Sequence, residues 1–257
     1  MSLHVVLSPH PDDAPLTMGA YIHHLTTRGE RVLIVTTMAG EIPHTLPDTP
    51  VVHEFHTTWD VGDNPIFLRH DEDRAAAAVL GAEVTFLDIA DCIYRTLDGE
   101  PLYFTRSDVF DKVNPADPVI AVPESLRALV REAGTIYAPL SIGKHVDHQI
   151  ARGWAEELAR DYPGKTILFY TDYPYAEVSG AWEEGLTRVP YIGLLAPLSL
   201  NEADLRAKID SIACYSSQIS SFWLSLEDME ARIRAFFTSN GSHPPHERFW
   251  EYKGKMG

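Results

Sequence analysis

Apolar positions in the first forty residues alternate in kind: a short run at Val5-Val6-Leu7, an amphipathic stretch from Leu16 to Leu25, and a second run at Val32-Leu33-Ile34-Val35. This spacing predicts strand, helix, strand. The pattern returns at Arg74 to Leu80 followed by Val84-Thr85-Phe86-Leu87, at Ser125 to Ala133 followed by Thr135 to Ala138, and at Gln149 to Leu158 followed by Thr166 to Tyr170. β-Branched runs without polar alternation suit strands covered on both faces, and helical crossovers between them imply a largely parallel sheet. The expected fold is doubly wound α/β, a largely parallel sheet flanked by helices. In such sheets ligands bind beyond the carboxyl ends of the strands, so residues just after each strand carry the most functional weight.

Two stretches interrupt the alternation, Gly40 to Phe67 and Thr96 to Pro123, and both read as long loops, either functional lids or mobile insertions. His44, His53 and His56 in the first read as exposed loop histidines. Beyond Pro190 the pattern predicts an apolar segment from Leu194 to Leu200. A helix comes next, opening at Asn201 with Asp204 three residues on and running to about Ser217. Trp223, Phe236, Phe237, Phe249 and Trp250 in the tail read as core packing. With no internal repeat or low-complexity tract, a single domain over 1–257 is expected.

Charge and cysteine content narrow the class. Against 37 Asp+Glu stand only 21 Lys+Arg, a formal charge of −16, whereas gripping a phosphate backbone needs clustered cations, so nucleic acid is an unsuitable partner. No apolar run approaches the roughly 18 residues of a membrane span, and the N-terminus lacks the basic flank of a secretion signal, so a cytoplasmic chain is expected. Cys92 and Cys214 lie far apart without metal-ligand spacing and read as reduced, small core residues.

Candidate chemistry concentrates in two clusters. Ser8-Pro9-His10-Pro11-Asp12-Asp13-Ala14-Pro15 lies where the first strand ends and the first helix begins; taken alone, Asp13 would cap that helix and Asp12 would favour its positive end. Lys144-His145-Val146-Asp147-His148 follows the fourth strand and opens another helix, with His145 and His148 at a spacing that shares one face. Brought to one sheet edge, these imidazoles and carboxylates suit a borderline-soft divalent metal. Zinc is the natural choice, because catalytic zinc takes three nitrogen or oxygen ligands and keeps a fourth position for water, while a structural site would draw on cysteines. A spare carboxylate then serves as general base, and a spare histidine donates a proton or steadies an oxyanion. The inventory describes a metal-assisted hydrolase. A dinucleotide-binding turn would need a Gly-rich cradle and a serine hydrolase a Gly-x-Ser-x-Gly elbow, and this sequence has neither.

These residues resemble the PIG-L/LmbE-like zinc-dependent N-deacetylases over most of the chain: His10-Pro11-Asp12-Asp13 reproduces their His-Pro-Asp-Asp, and His145-Val146-Asp147-His148 is close to their later His-Pro-Asp-His. The resemblance implies a Rossmann-like, LmbE-like fold and removal of an N-acetyl group from an N-acetylglucosamine-type sugar or glycoside. It implies that His10, Asp13 and His148 ligate zinc and that Asp12 is the base. His145 would be general acid or oxyanion stabiliser, and Asp147 would complete the catalytic set from the layer behind. Arg69 and Glu72 match the family's Arg-x-x-Glu helix, whose arginine reaches substrate hydroxyls, and Asp91 resembles the aspartate after the third strand, so Arg69 and Asp91 are expected at the substrate. Lys208 to Gln218 looks like the family's helix ending in Ser-Gln. Ala14 and Val146 depart from the family pattern at scaffold positions, whereas Lys144, where a small residue is frequent, and the lack of a tyrosine just before His145 are departures that bear on substrate identity. Tyr170 to Ala176 would rim the pocket with aromatic surfaces suited to sugar rings. Hydrolysis of another small amide, and a non-catalytic metal- or sugar-binding module, are the alternatives; a homo-oligomer is compatible with the sequence but not specified by it.

Overall fold

Val5 and Leu7 pack into one apolar cluster and Val6 into another, so the first strand is buried on both faces, as its unbroken apolar run requires. The computed structural model describes residues 2–59, 65–189, 192–195 and 198–254. Within them seven strands form one sheet: β1 (Leu3–Ser8), β2 (Arg31–Thr36), β3 (Glu83–Phe86), β4 (Thr135–Pro139), β5 (Thr166–Tyr170), β6 (Ile192–Leu194) and β7 (Phe249–Tyr252). Their order across the sheet is β3-β2-β1-β4-β5-β7-β6. The first five in that order are parallel, with Val5 opposite Leu33 on one side and Ile136 on the other. β7 runs antiparallel to β5 and to β6.

The helices that cover this sheet or border its site include α1 (Asp13–Thr26), α2 (Pro50–Trp59), α3 (Pro65–Leu80), α4 (Glu124–Val130), α5 (Val146–Asp161), α6 (Glu202–Ile212), α7 (Ser216–Phe222) and α8 (Leu226–Phe237). Met18 and Ile22 of α1, Ala77 and Leu80 of α3 and Ala207 of α6 cover one face of the sheet. Leu126 and Val130 of α4 and Trp154 and Leu158 of α5 cover the other. The mainly parallel α/β architecture is therefore as expected, and no helix among the described residues is long and apolar enough to cross a membrane.

Four local expectations need correction. The Gly40 to Phe67 stretch is not a plain loop: it holds α2, and α3 begins at Pro65 rather than near Arg74, although residues 60–64 lie outside the described set. A proline at the first helical position loses no intrahelical bond, and Val51 and Val52 are buried against Cys92, Ile93 and Tyr103, a tertiary gain that local periodicity does not reveal. His44 and His53 are exposed as expected, but His56 is half-buried and hydrogen-bonded to the Tyr94 hydroxyl at 2.7 Å. The Thr96 to Pro123 stretch carries a small hairpin, Thr96–Leu97 with Glu100–Pro101, and a helical turn at Arg106–Val109. The helix expected from Asn201 to Ser217 breaks between α6 and α7, and Cys214, in that break, is half-buried rather than in the core; Cys92 is buried. Last, the tail does pack its aromatics, with Trp223, Phe237, Phe249 and Trp250 buried, but it also supplies β7.

Two buried polar groups join the tail and α6 to α1. The kink of α1 at Met18 (φ −131°, ψ 23°) accompanies a pair of backbone N–H groups, Ala20 and Tyr21, that donate to Glu247 at 3.2 and 2.9 Å. Lys208 Nζ also donates to Glu247, at 2.7 Å, with both side chains buried. A Cβ at Gly19 would lie 3.1 Å from Lys208 Cγ, so the glycine permits this approach. Replacing Lys208 by Met strands the Glu247 charge, and chemical denaturation is expected to show a loss of about 3 kcal/mol. Asp204 accepts from His23 Nδ1 at 2.8 Å, His24 Nδ1 at 3.3 Å and the Asn201 amide at 3.1 Å. Burial alone would raise its pKa, but these donors outweigh burial and hold the carboxyl below its ordinary value. A carboxyl depressed in the folded state adds stability above its unfolded pKa and loses it as pH falls through the folded value. Asp204→Asn is therefore expected to cost about 1 kcal/mol at neutral pH, with the gap to wild type closing below about pH 4 in urea unfolding curves.

Candidate functional site

The chain leaves β1 toward β2 and later returns to pair β4 on β1's other side, so the carboxyl ends of these neighbours open a crevice. His10 to Asp13 follow β1, Ser141 to His148 follow β4, Asp91 follows β3, and Asp172 and Tyr175 follow β5. Ser8 Oγ donates to the His10 carbonyl at 2.8 Å and accepts from the Ala14 amide at 3.0 Å, which closes the first turn. Asp12 stands at the N-terminus of α1 with φ 108°, a strained conformation for a residue with a side chain, and its carboxylate makes no capping bond. The capping role open to Asp13 from sequence is also displaced: its Oδ2 accepts from the His10 amide at 2.8 Å. In the second turn Ser141, Gly143 and Lys144 all have positive φ, and a Cβ at Gly143 would lie 2.7 Å from the Tyr175 ring.

The hydrogen bonds of two histidines decide what their other nitrogens present. His10 Nε2 donates to Asp147 Oδ2 at 3.0 Å, so in the neutral ring that a metal requires Nδ1 turns a lone pair toward Asp13 Oδ2, 3.3 Å away. Burial opposes a charge on this ring, but Asp91, Asp13 and Asp147 outweigh it and raise its pKa well above the ordinary value. His148 Nδ1 donates to Asp172 Oδ1 at 2.7 Å, so Nε2 turns its lone pair toward the same Asp13 oxygen, again at 3.3 Å. That His148 Nε2 is buried and has no hydrogen-bond partner. Two ring nitrogens that each face the same carboxylate oxygen at this range call for a positive charge among them. Burial opposes a charged His148 ring, yet Asp13 and Asp172 outweigh it and lift its pKa to about 9, so without an ion a proton on this ring supplies that charge. A tetrahedral ion with ligands about 2.0–2.1 Å away separates those ligands by about 3.3 Å, so the donor set fits zinc. Ring nitrogens of His10, His145 and His148 also gather within 4.8 Å, which confirms a potential metal-binding cluster.

The other expected residues surround this cluster. Asp12 lines the cleft with Arg69 Nη2 3.5 Å from its Oδ2; burial raises the carboxyl, Arg69 pulls it back and Asp13 raises it again, leaving it at about 8. His145 lines the cleft at the start of α5, and its Nδ1 accepts from the Asp147 amide at 3.3 Å, so its proton sits on Nε2. Burial, then repulsion from His10, keep that ring neutral. Arg69 donates to the Pro11 carbonyl at 2.8 Å and, like Asp91, lines the cleft. Glu72, on the same helix as Arg69, accepts from Ser216 Oγ at 2.8 Å and the Ser217 amide at 2.9 Å, so the Arg-x-x-Glu helix and the Ser-Gln stretch meet, with Gln218 facing the cleft. Asp147 departs from a place among the reacting groups: it is fully buried, does not line the cleft, and holds His10 from behind.

The cleft encloses about 860 Å³, open solvent included, between Phe55, Phe110, Tyr175 and Phe222. Of the Tyr170 to Ala176 stretch only Pro174 and Tyr175 reach it, because Tyr170 turns inward to donate to the Leu7 carbonyl at 2.7 Å. Asp172, Arg95, Arg106 and Phe110 escape a reading of the sequence. Asp172 has a usable signal, an acid two residues beyond a parallel strand; Arg106 and Phe110 have none, since they reach the cleft only through the path of the 96–123 segment.

Residues 5–159, more than half of the chain, match the PIG-L family, described as GlcNAc-PI de-N-acetylase. The chain belongs to the PIG-L family. As a PIG-L protein it draws His10 to Asp13, Arg69, Asp91 and His145 to His148 from the matched region, and Asp172 and Gln218 from beyond it. It is 28% identical over 187 residues to a 2'-N-acetylparomamine deacetylase of Niallia circulans, covering 66% of each chain. It thus spans about two thirds of that relative's length. A 2'-N-acetylparomamine deacetylase of Streptomyces fradiae is 28% identical over 223 residues, 83% of this chain and 72% of the relative. In fold it is similar to the zinc-inhibited form of a teicoplanin deacetylase, with a TM-score of 0.81 over 97% of both chains at 24% identity.

Proposed function

We propose that this PIG-L protein is a zinc-dependent N-deacetylase that hydrolyses the N-acetyl group of an N-acetylglucosamine-type sugar or glycoside. The convergence of His10 Nδ1, Asp13 Oδ2 and the partnerless His148 Nε2 beside Asp12 carries this reading. His10, Asp13 and His148 hold the ion, which when bound supplies Lewis acidity toward the amide carbonyl and lowers the pKa of water. Asp12 takes a proton from the attacking water, a role open to its carboxylate because it lines the cleft and makes no capping bond. As the carbonyl oxygen gains charge, His145 Nε2–H donates to it. Asp12 then returns the proton to the nitrogen, the C–N bond breaks, and acetate and a free amine leave.

Arg69 and Asp91 offer a donor and an acceptor to sugar hydroxyls, and Phe110 and Tyr175 offer faces to a ring. The substrate named for two relatives, 2'-N-acetylparomamine, supports an N-acetylated substrate of this class. Room for more of the substrate is provided by an open trough that shares Arg106, Phe110 and Tyr175 with the cleft and continues past Val178 and Ala181. Acetate release from N-acetylglucosamine glycosides and N-acetylated aminoglycosides, set against N-acetyl amino acids, tests the proposal alongside metal analysis. Equal amounts of acetate and amine from the sugars, abolished by a chelator and restored by zinc, is the expected result. Turnover confined to acylated amino acids would overturn the sugar, and a metal-bound but inert protein would leave a binding module.

A further inference from the structure

We infer that Arg95 is a positioning residue that sets the orientation of His10 through Asp147, and so ties the 96–123 segment to the metal-holding side of the site. The inference rests on the proposed role of His10 as a metal ligand. Arg95 follows the short helical turn Cys92–Tyr94 and is buried. Its guanidinium donates to Asp147 Oδ1, lies 3.1 Å from Asp117 Oδ2, and donates to the Ala90 carbonyl at 3.2 Å. The second oxygen of Asp147 accepts from His10 Nε2 at 3.0 Å and from the Cys92 amide at 3.1 Å. Each oxygen of that carboxylate thus has its own donors, and Arg95 is the charged one. While Arg95 holds Oδ1, the carboxylate plane cannot swing, Oδ2 stays on His10, and the His10 Nδ1 lone pair stays aimed at Asp13.

The same Nη2 that holds Asp147 also faces Asp117, in the segment that walls the cleft. Asp117 Oδ2 accepts from the Tyr103 hydroxyl at 2.8 Å, its Oδ1 accepts from the Val119 amide at 3.1 Å, and the Tyr103 oxygen accepts from the Asn114 amide at 3.1 Å. The same segment delivers Arg106 and Phe110 to the cleft. One guanidinium nitrogen therefore joins the anchor of the substrate wall to the support of a ligand while Nη1, on the Ala90 carbonyl, fixes the guanidinium plane, an arrangement that lysine, a point charge on a flexible stem, does not reproduce.

Zinc affinity of the apo-protein, measured by competition with a chromophoric chelator and paired with circular dichroism, tests this without recourse to turnover. Arg95→Gln is expected to weaken zinc binding by about 10- to 100-fold, with Arg95→Lys in between. Because Arg95→Gln strands the Asp147 and Asp117 charges, the cycle includes Asp147→Asn and the double variant, which removes the Arg95 and Asp147 charges together and leaves Asp117 to its Tyr103 and Val119 donors, and so is the better folded of the two Arg95→Gln proteins. If Arg95 acts through Asp147, the double variant binds zinc about as well as Asp147→Asn alone. A folded Arg95→Gln with wild-type affinity, or a double variant weakened by the product of the two single effects, would overturn the inference. His10→Ala keeps the two readings apart: wild-type zinc affinity in that variant sinks the metal site and this inference with it, whereas lost affinity there beside unaffected Arg95 variants sinks this inference alone.

Discussion

Asp12→Asn is expected to lower kcat by about 10³- to 10⁴-fold while the protein retains zinc in its wild-type stoichiometry. The substitution removes the ability to take a proton, together with the negative charge that faces Arg69. Asparagine has nearly the same volume and tolerates positive φ about as well as aspartate, so the φ of 108° at this position survives the change where a β-branched residue would not. Asp12 also contributes no bond that closes the turn, since that work falls to Ser8 and Asp13. A structural role would therefore predict a small effect, and a general-base role predicts a large one confined to turnover. Parallel metal analysis and steady-state kinetics make the distinction. Zinc lost together with activity would reassign Asp12 as a ligand, and a loss smaller than about tenfold would remove it as the base.

His148→Ala is expected to weaken zinc binding by about 10³-fold and to lower kcat/KM in step at limiting metal, with partial recovery when zinc is added in excess. A ligand should cost more than the 10- to 100-fold typical of the groups that orient ligands. His148 Nε2 is the atom for which the protein itself provides no partner, and its ring is held in place by Asp172. The readout is again chelator competition, followed by kinetics across a zinc titration. Unchanged affinity in a folded His148→Ala protein would rule out both clusters that include this histidine as the metal site and would point to Cys92, His145 and Asp147 or to His10, Asp91 and Asp147, each of which also lies within reach of one ion.

Most of what places the site was legible along the chain. The apolar runs at Val5 to Leu7 and Thr135 to Ala138 are strands beside one another, and the two histidine- and aspartate-bearing turns that come after them converge because parallel neighbours end at the same edge. Arg69 and Glu72 illustrate a partial success. Their spacing reads equally as a surface ion pair, and only burial and the bonds of Glu72 to Ser216 and Ser217 show a link between two helices at the cleft. The Gly40 to Phe67 stretch reads as a loop because its helices are held by Val51 and Val52 against Ile93 and Tyr103, contacts that no window of neighbouring residues contains.

The sequence by itself determined the alternation of strands and helices, the edge at which chemistry collects, and the donor types offered there, because periodicity and turn chemistry are properties of consecutive residues. Only the tertiary structure decided which nitrogen of each histidine is left free. That choice depends on Asp172, 24 residues from His148, and on Asp147, 137 residues from His10 and itself held by Arg95 at a distance of 52. Such partners are selected by strand register and by the route of a surface segment. A hydrogen bond a few ångströms long can read those features only after the chain has folded.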